Sequence, residues 1–135
     1  MTYLEATEFV TMFLKGDNSS ATVTSVHFRM ALMEIATLCE PSEMLENYTG
    51  VETDVLRLLP PETVEIDFET TTVQKYIKAP AIPSPFNEDD KLPIDAQLDL
   101  AVVFFVCSYL SNKEKGLYEN KGKRTISVYV SNEVK

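Results

Sequence analysis

The chain has 135 residues, 44% of them apolar, enough to bury one core, which excludes wholesale disorder. Its 21 acidic and 12 basic residues leave a formal net charge of −9, which argues against wrapping nucleic-acid phosphates as its main task. The charge is segregated: Glu40 to Glu69 carries nine acids against Arg57 alone, whereas Lys113 to Lys135 carries six bases against three acids. Two such segments can neutralise each other within a chain or between neighbours.

Thr2 and Glu5 have the spacing of a capping box, and Phe9, Val10, Phe13 and Leu14 recur on one face before Gly16. This predicts a short helix over 3–15. After the turn Asp17-Asn18-Ser19-Ser20, the residues Val23, Val26, Met30, Met33 and Thr37 follow a 3,4 spacing. Phe28, Leu32, Ile35 and Leu38 broaden the surface expected to be buried, giving a second helix over 22–39 that stops before Pro41. Ser42 to Tyr48 is expected to be a short acidic helix or turn closed by Gly50.

The hydrophobic period then changes to two. Val64, Ile66 and Phe68 alternate with Glu65, Asp67 and Glu69, predicting a strand with one buried and one wet face. Thr71, Val73 and Ile77 are its expected antiparallel partner around a Thr-rich turn, although no Asn-Gly or Asp-Gly pair marks the register. Pro80, Pro83 and Pro85 impose an extended connector. The alternating carboxylates Glu65, Asp67 and Glu69 would share one strand face, where they are candidates for binding a cation or meeting a basic partner surface, the alternative being a face that is merely wet.

A third helix is expected over 94–112, with Pro93 in its first turn and Asp95 and Asp99 near the positive end of its dipole. From Leu100 to Cys107 it is apolar on every side, so its own domain or neighbouring subunits must enclose it. The run is too short for a bilayer, which needs about 20 apolar residues, so no membrane is expected. Val102, Phe105, Val106 and Tyr109 are expected in the core, and Phe104 and Val103 are candidates for contact between subunits. After Lys121-Gly122-Lys123, the alternation of Ile126, Val128 and Val130 predicts a terminal strand that needs a sheet to join. With the flanking cations Lys121, Lys123 and Arg124, it forms a candidate assembly arm.

The expected fold is α+β: a single domain over 1–135, with a bundle of three main helices in a helical core over 1–50 and 92–116. An extended β insertion spans 51–91, and a C-terminal arm spans 117–135. Chemistry is sparse. His27, the single histidine, has no nucleophile or acid placed beside it by spacing, and reads as a core or boundary residue. Cys39 and Cys107 lie in apolar helical patterns and read as buried small hydrophobes. The consecutive Glu88, Asp89 and Asp90 read as a solvated turn, not a calcium loop, and Gly16, Gly50, Gly116 and Gly122 are isolated and read as helix stops or turns, without a phosphate-binding pattern. Asn47-Tyr48-Thr49 reads as a chance sequon. No charged segment leading into an apolar one opens the chain, so the cytoplasm of synthesis is the expected compartment. Neither an enzyme, a cofactor nor a metal site is expected.

In layout, Tyr3–Lys15, Ser20–Glu40, Val55–Pro85 and Leu92-Pro93-Ile94-Asp95 through Leu110 resemble the head-to-tail connector (adaptor) proteins of tailed bacteriophages. The resemblance implies a structural virion protein, assembled in the host cytoplasm, forming a homo-oligomeric, commonly dodecameric, ring beneath the portal. Its partners would be the portal and tail or neck proteins, and DNA would pass through without sequence-specific binding. The marked alternating strands depart from that family and suit another neck or tail-completion protein equally. The rival from a different class is a small acidic inhibitor that occupies a nucleic-acid-binding site on a host protein through the carboxylates of Glu40 to Glu69.

Overall fold

A computed structural model describes residues 1–17 and 22–133. Four helices form the body: α1 (Tyr3–Phe13), α2 (Ser25–Leu38), α3 (Asp99–Leu110) and α4 (Lys115–Glu133). Five short strands form two antiparallel sheets: β1 (Leu45–Asn47), β2 (Val55–Leu58), β3 (Glu62–Ile66), β4 (Glu69–Val73) and β5 (Lys75–Lys78). One sheet has the order β1-β5-β2, and the other is the β3–β4 hairpin alone. The α+β class therefore holds, while the three-helix bundle with a terminal strand does not.

α1 begins as its sequence requires. The Glu5 N–H donates to Thr2 Oγ1 at 3.2 Å and the Thr2 N–H donates to Glu5 Oε1 at 3.0 Å, closing the capping box. The main-chain carbonyls of Asp90 and Glu88 accept from Tyr3 and Leu4 at 3.0 and 3.1 Å, so the acidic turn before α3 fastens the start of α1.

α2 turns the opposite way from the 3,4 stripe. Phe28, Ala31, Leu32, Ile35 and Ala36 are buried, whereas Val26, Met30 and Met33 are 55%, 46% and 39% exposed. The helix carries two apolar faces, and a single core can take only one. The face that goes inward carries Ala31 and Ala36 among its larger side chains, and α2 packs on α3.

α3 is the hub, packed against α1, α2 and α4. It starts later than expected: Ala96–Leu98 is a 3-10 turn and Pro93 lies ahead of the helix. Asp95 serves other elements instead. It accepts from the main-chain N–H groups of Ser42 and Glu43 at 3.2 and 2.7 Å, and from the Tyr129 hydroxyl at 2.6 Å. Asp99 takes the first turn of α3, where the Met1 ammonium lies 2.9 Å from its carboxylate.

The C-terminal region is the main correction. Thr125 to Val130 is not a strand; it belongs to α4, which takes in residues 117–133 of the arm expected over 117–135, the last two lying outside the described residues. Tyr118, Gly122, Ile126 and Tyr129 recur at helical spacing and all face inward. A Cβ built on Gly122 would stand 3.0 Å from the Phe105 ring, so this glycine is a close approach between α3 and α4, not a turn. An all-round apolar α3 needed a further cover, and α4 supplies it from the same chain. The corner between them is fastened by Asp17, which accepts from the N–H groups of Asn112 and Lys113 at 2.7 and 3.3 Å and from Ser111 Oγ at 3.1 Å. Those bonds, led by the one from Asn112, hold its carboxyl below the usual range.

Candidate docking interface

The β3–β4 hairpin lies outside the core. Its base is held by Gln74, whose side-chain NH2 donates to the Leu59 carbonyl at 2.9 Å while its main-chain carbonyl accepts from the Tyr48 N–H at 2.8 Å. Beyond that base, only Val64 and Val73 among its strand residues are half-buried. The partner of β3 is Glu69–Val73, shorter than the expected strand. Ile77 belongs to β5 of the other sheet, where it pairs with Leu45 and Arg57.

Pairing of Ile66 with Glu69 leaves a two-residue loop, Asp67 and Phe68, with φ values of 52° and 67°. Both residues are left-handed, the condition for the tight mirror-image turn that matches strand twist. Glycine is the usual second residue of such a turn; a bulky side chain there costs about 1–2 kcal/mol. Phe68 is 98% exposed, so no burial within this chain offsets that strain. Ile66 beside it is 54% exposed. Burying a phenylalanine side chain is worth about 1.5–3 kcal/mol, enough to outweigh the strain once a partner covers the tip.

The carboxylates expected on one strand face surround the tip instead. Glu65 pairs across to Thr70 on one face, Glu69 lies opposite Ile66 on the other, and Asp67 is in the turn. From Glu62 to Gln74 there are four acids and no base. The tip is thus an apolar point within a negative collar.

The remaining candidates separate. Ile126 is buried at 4%, while Val128 is 57% exposed and Val130 39%, because alternation on a helix spreads side chains around the axis. Val130 lines a shallow cleft of about 290 Å³ with Thr37, Glu40 and Arg57. Phe104 is half-buried, its ring centroid 5.6 Å from that of Phe13. The Lys121 ammonium stands 5.9 Å from the centroid of Phe104 and 5.8 Å from that of Tyr118. Lys123 pairs with Glu119 at 3.1 Å, and Arg124 is exposed. Val103 is fully buried.

Other polar groups serve structure. His27 Nδ1 accepts from the Thr24 N–H at 3.0 Å at the start of α2, and burial lowers the pKa of the imidazole. Cys39 and Cys107 are buried and not joined in a disulfide, with Cys107 pushed up to about 12 by desolvation. Among the described residues no cluster of three His, Cys, Asp or Glu side chains is placed to hold a metal ion, and no helix is long and apolar enough to cross a membrane.

No family model, curated protein or solved structure matches this chain. Phe68 escaped the sequence reading because it fitted the apolar phase of an alternating strand. The usable signal was Asp67-Phe68 between two Thr- and Val-rich runs of equal length, the place where a two-residue turn would stand.

Proposed function

We propose that the chain is a non-catalytic assembly protein, a head-to-tail connector of a tailed bacteriophage that forms a ring between portal and tail. Phe68 carries the assembly part of this proposal: a fully exposed aromatic residue in a left-handed turn at the tip of an acidic hairpin. Strain retained at a surface point without internal reward is explained by a partner that covers it. The separation of an acidic arm from the cationic segment Lys113 to Arg124 supports contact between copies. The net charge of −9 supports passage of DNA without retention, since phosphate is repelled by a negative lining. The connector station itself rests on the family resemblance in layout, and its departure in the C-terminal region leaves α1, α2, the β insertion and α3 to carry that resemblance.

Native mass measurement and electron microscopy of the purified chain test the assembly part. Closed oligomers are expected; a chain that remains a monomer at high concentration overturns it and favours the acidic inhibitor. Particles assembled without the chain test the station. Filled heads and tails that fail to join are expected, and normal joined particles overturn it.

A further inference from the structure

The outward face of α4 is the chemical complement of the hairpin tip. Leu117, Lys121, Arg124 and Val128 recur at i, i+4, i+7 and i+11, which places them on one side of the helix. Leu117 is 47% exposed and Val128 57%, so two aliphatic side chains bracket two cations. Lys123 already has Glu119 as its partner, whereas no ion pair involving Lys121 or Arg124 occurs among the described residues. Arg124 is exposed, whereas Lys121 is half-buried at the edge of that face, its ammonium over the rings of Phe104 and Tyr118.

The exposed face of α2 is the competing surface. There Val26, Met30 and Met33 are flanked by Arg29 on one side and Glu34 on the other, with no net charge to answer the four acids of the arm. Charge therefore selects α4.

We propose that the hairpin tip of one copy docks on the outward face of α4 of the next copy. Ile66 and Phe68 meet Leu117 and Val128, and Glu65, Asp67 and Glu69 meet Lys121 and Arg124. The proposal rests on the assembly reading above and adds the partner surface. Because tip and α4 face are different patches, each copy offers one of each. The contact is heterologous, so it runs head to tail and closes into a ring where the rotation between copies permits. Its exposed ion pairs make it weaken as salt is raised, while the aromatic tip supplies the anchor.

Sedimentation of the full-length chain against concentration, at low and high salt, tests this with four variants whose folding is checked by circular dichroism. Phe68→Gly suits the left-handed turn and Arg124→Glu is exposed, so both are expected to fold. Each is expected to weaken self-association about tenfold or more. Asp67→Lys is expected to weaken it too, and the double variant Asp67→Lys/Arg124→Glu to recover most of the loss. Mixing the Phe68→Gly and Arg124→Glu chains leaves one working tip and one working face, so the mixture is expected to stop at a heterodimer. Assembly at normal strength in the folded single variants, or a double swap without recovery, overturns this contact and leaves the assembly reading standing. A parent chain that never self-associates overturns both.

Discussion

The β3–β4 hairpin and α4 carry the same kind of sequence signal and come to opposite ends. Val64, Ile66 and Phe68 alternate with polar residues, and so do Ile126, Val128 and Val130. The first run makes a strand and turn in which Val64 is half-buried while Ile66 and Phe68 stay at the surface, 54% and 98% exposed. The second makes a helix whose Ile126 and Tyr129 are 4% and 3% exposed. Period-two alternation over six residues reports local compatibility with a strand. It does not report whether a neighbouring surface waits for those side chains, and in α4 the uncovered side of α3 decides the matter.

Truncation gives the sharpest test of this contrast. Ending the chain after Gly122 removes Ile126 and Tyr129 from the core and the Tyr129 hydroxyl from Asp95, so loss of the cooperative thermal transition is expected. Each large side chain removed from a core costs about 3–5 kcal/mol, a large part of the total stability of a domain this size. Replacing residues 62–73 by a short turn is expected to leave the transition in place. Cys107, buried under the Lys121 turn of α4, supplies a second readout: its thiol should react at once with a labelling reagent in the truncated chain and slowly in the hairpin deletion. A truncated chain that melts normally would return the C-terminal region to the status of an arm.

Gly122→Ala is expected to rank next. Alanine is favoured in a helix by about 1 kcal/mol over glycine. Its Cβ meets the fully buried Phe105 ring at 3.0 Å, and overpacking of that kind costs about 1–3 kcal/mol. Net destabilisation is expected because the ring is fully buried and can give way only by displacing its own neighbours. The cost should shrink in the Phe105→Leu background, measured as a double-mutant cycle by urea titration.

On the hairpin side, Phe68→Gly is expected to relieve the turn without touching the core. Amide protection in β3 and β4 should rise several-fold, consistent with about 1 kcal/mol of local strain removed, while the global melt stays unchanged. A global shift would mean that the hairpin is coupled to the body more tightly than its exposure indicates.

The smallest expected effect is the pH dependence of the α3–α4 corner. Asp17 has its folded pKa lowered by the N–H of Asn112 first, so it contributes stability above the ordinary carboxylate value of about 3.9. That contribution is lost as pH falls through the lowered value. Asp17→Asn should therefore lower the melting temperature slightly at neutral pH and make no difference in strong acid. Exchange in the hairpin should be indifferent to the substitution at either pH.

Local chemistry was legible where it could be satisfied locally. The Thr2–Glu5 box, the stop before Pro41, the existence of a hairpin in the insertion and the apolar all-round α3 follow from neighbours a few residues apart, because capping bonds and the steric limits of proline do not depend on the rest of the fold. Which of the two apolar faces of α2 turns inward, the helical state of 125–130 and the isolation of Phe68 depended on what lies across space. Gly122 looked like a turn because its reason, the ring of Phe105, is seventeen positions away in the chain and yet would stand 3.0 Å from any Cβ placed at this position. Asp95 looked like a helix-start acid for the same cause: its partners come from across the fold, Ser42 and Glu43 from the segment after α2 and Tyr129 from α4. Burial is a property of surfaces that meet, and a periodic pattern names the side chains able to be buried without naming the surface that will cover them.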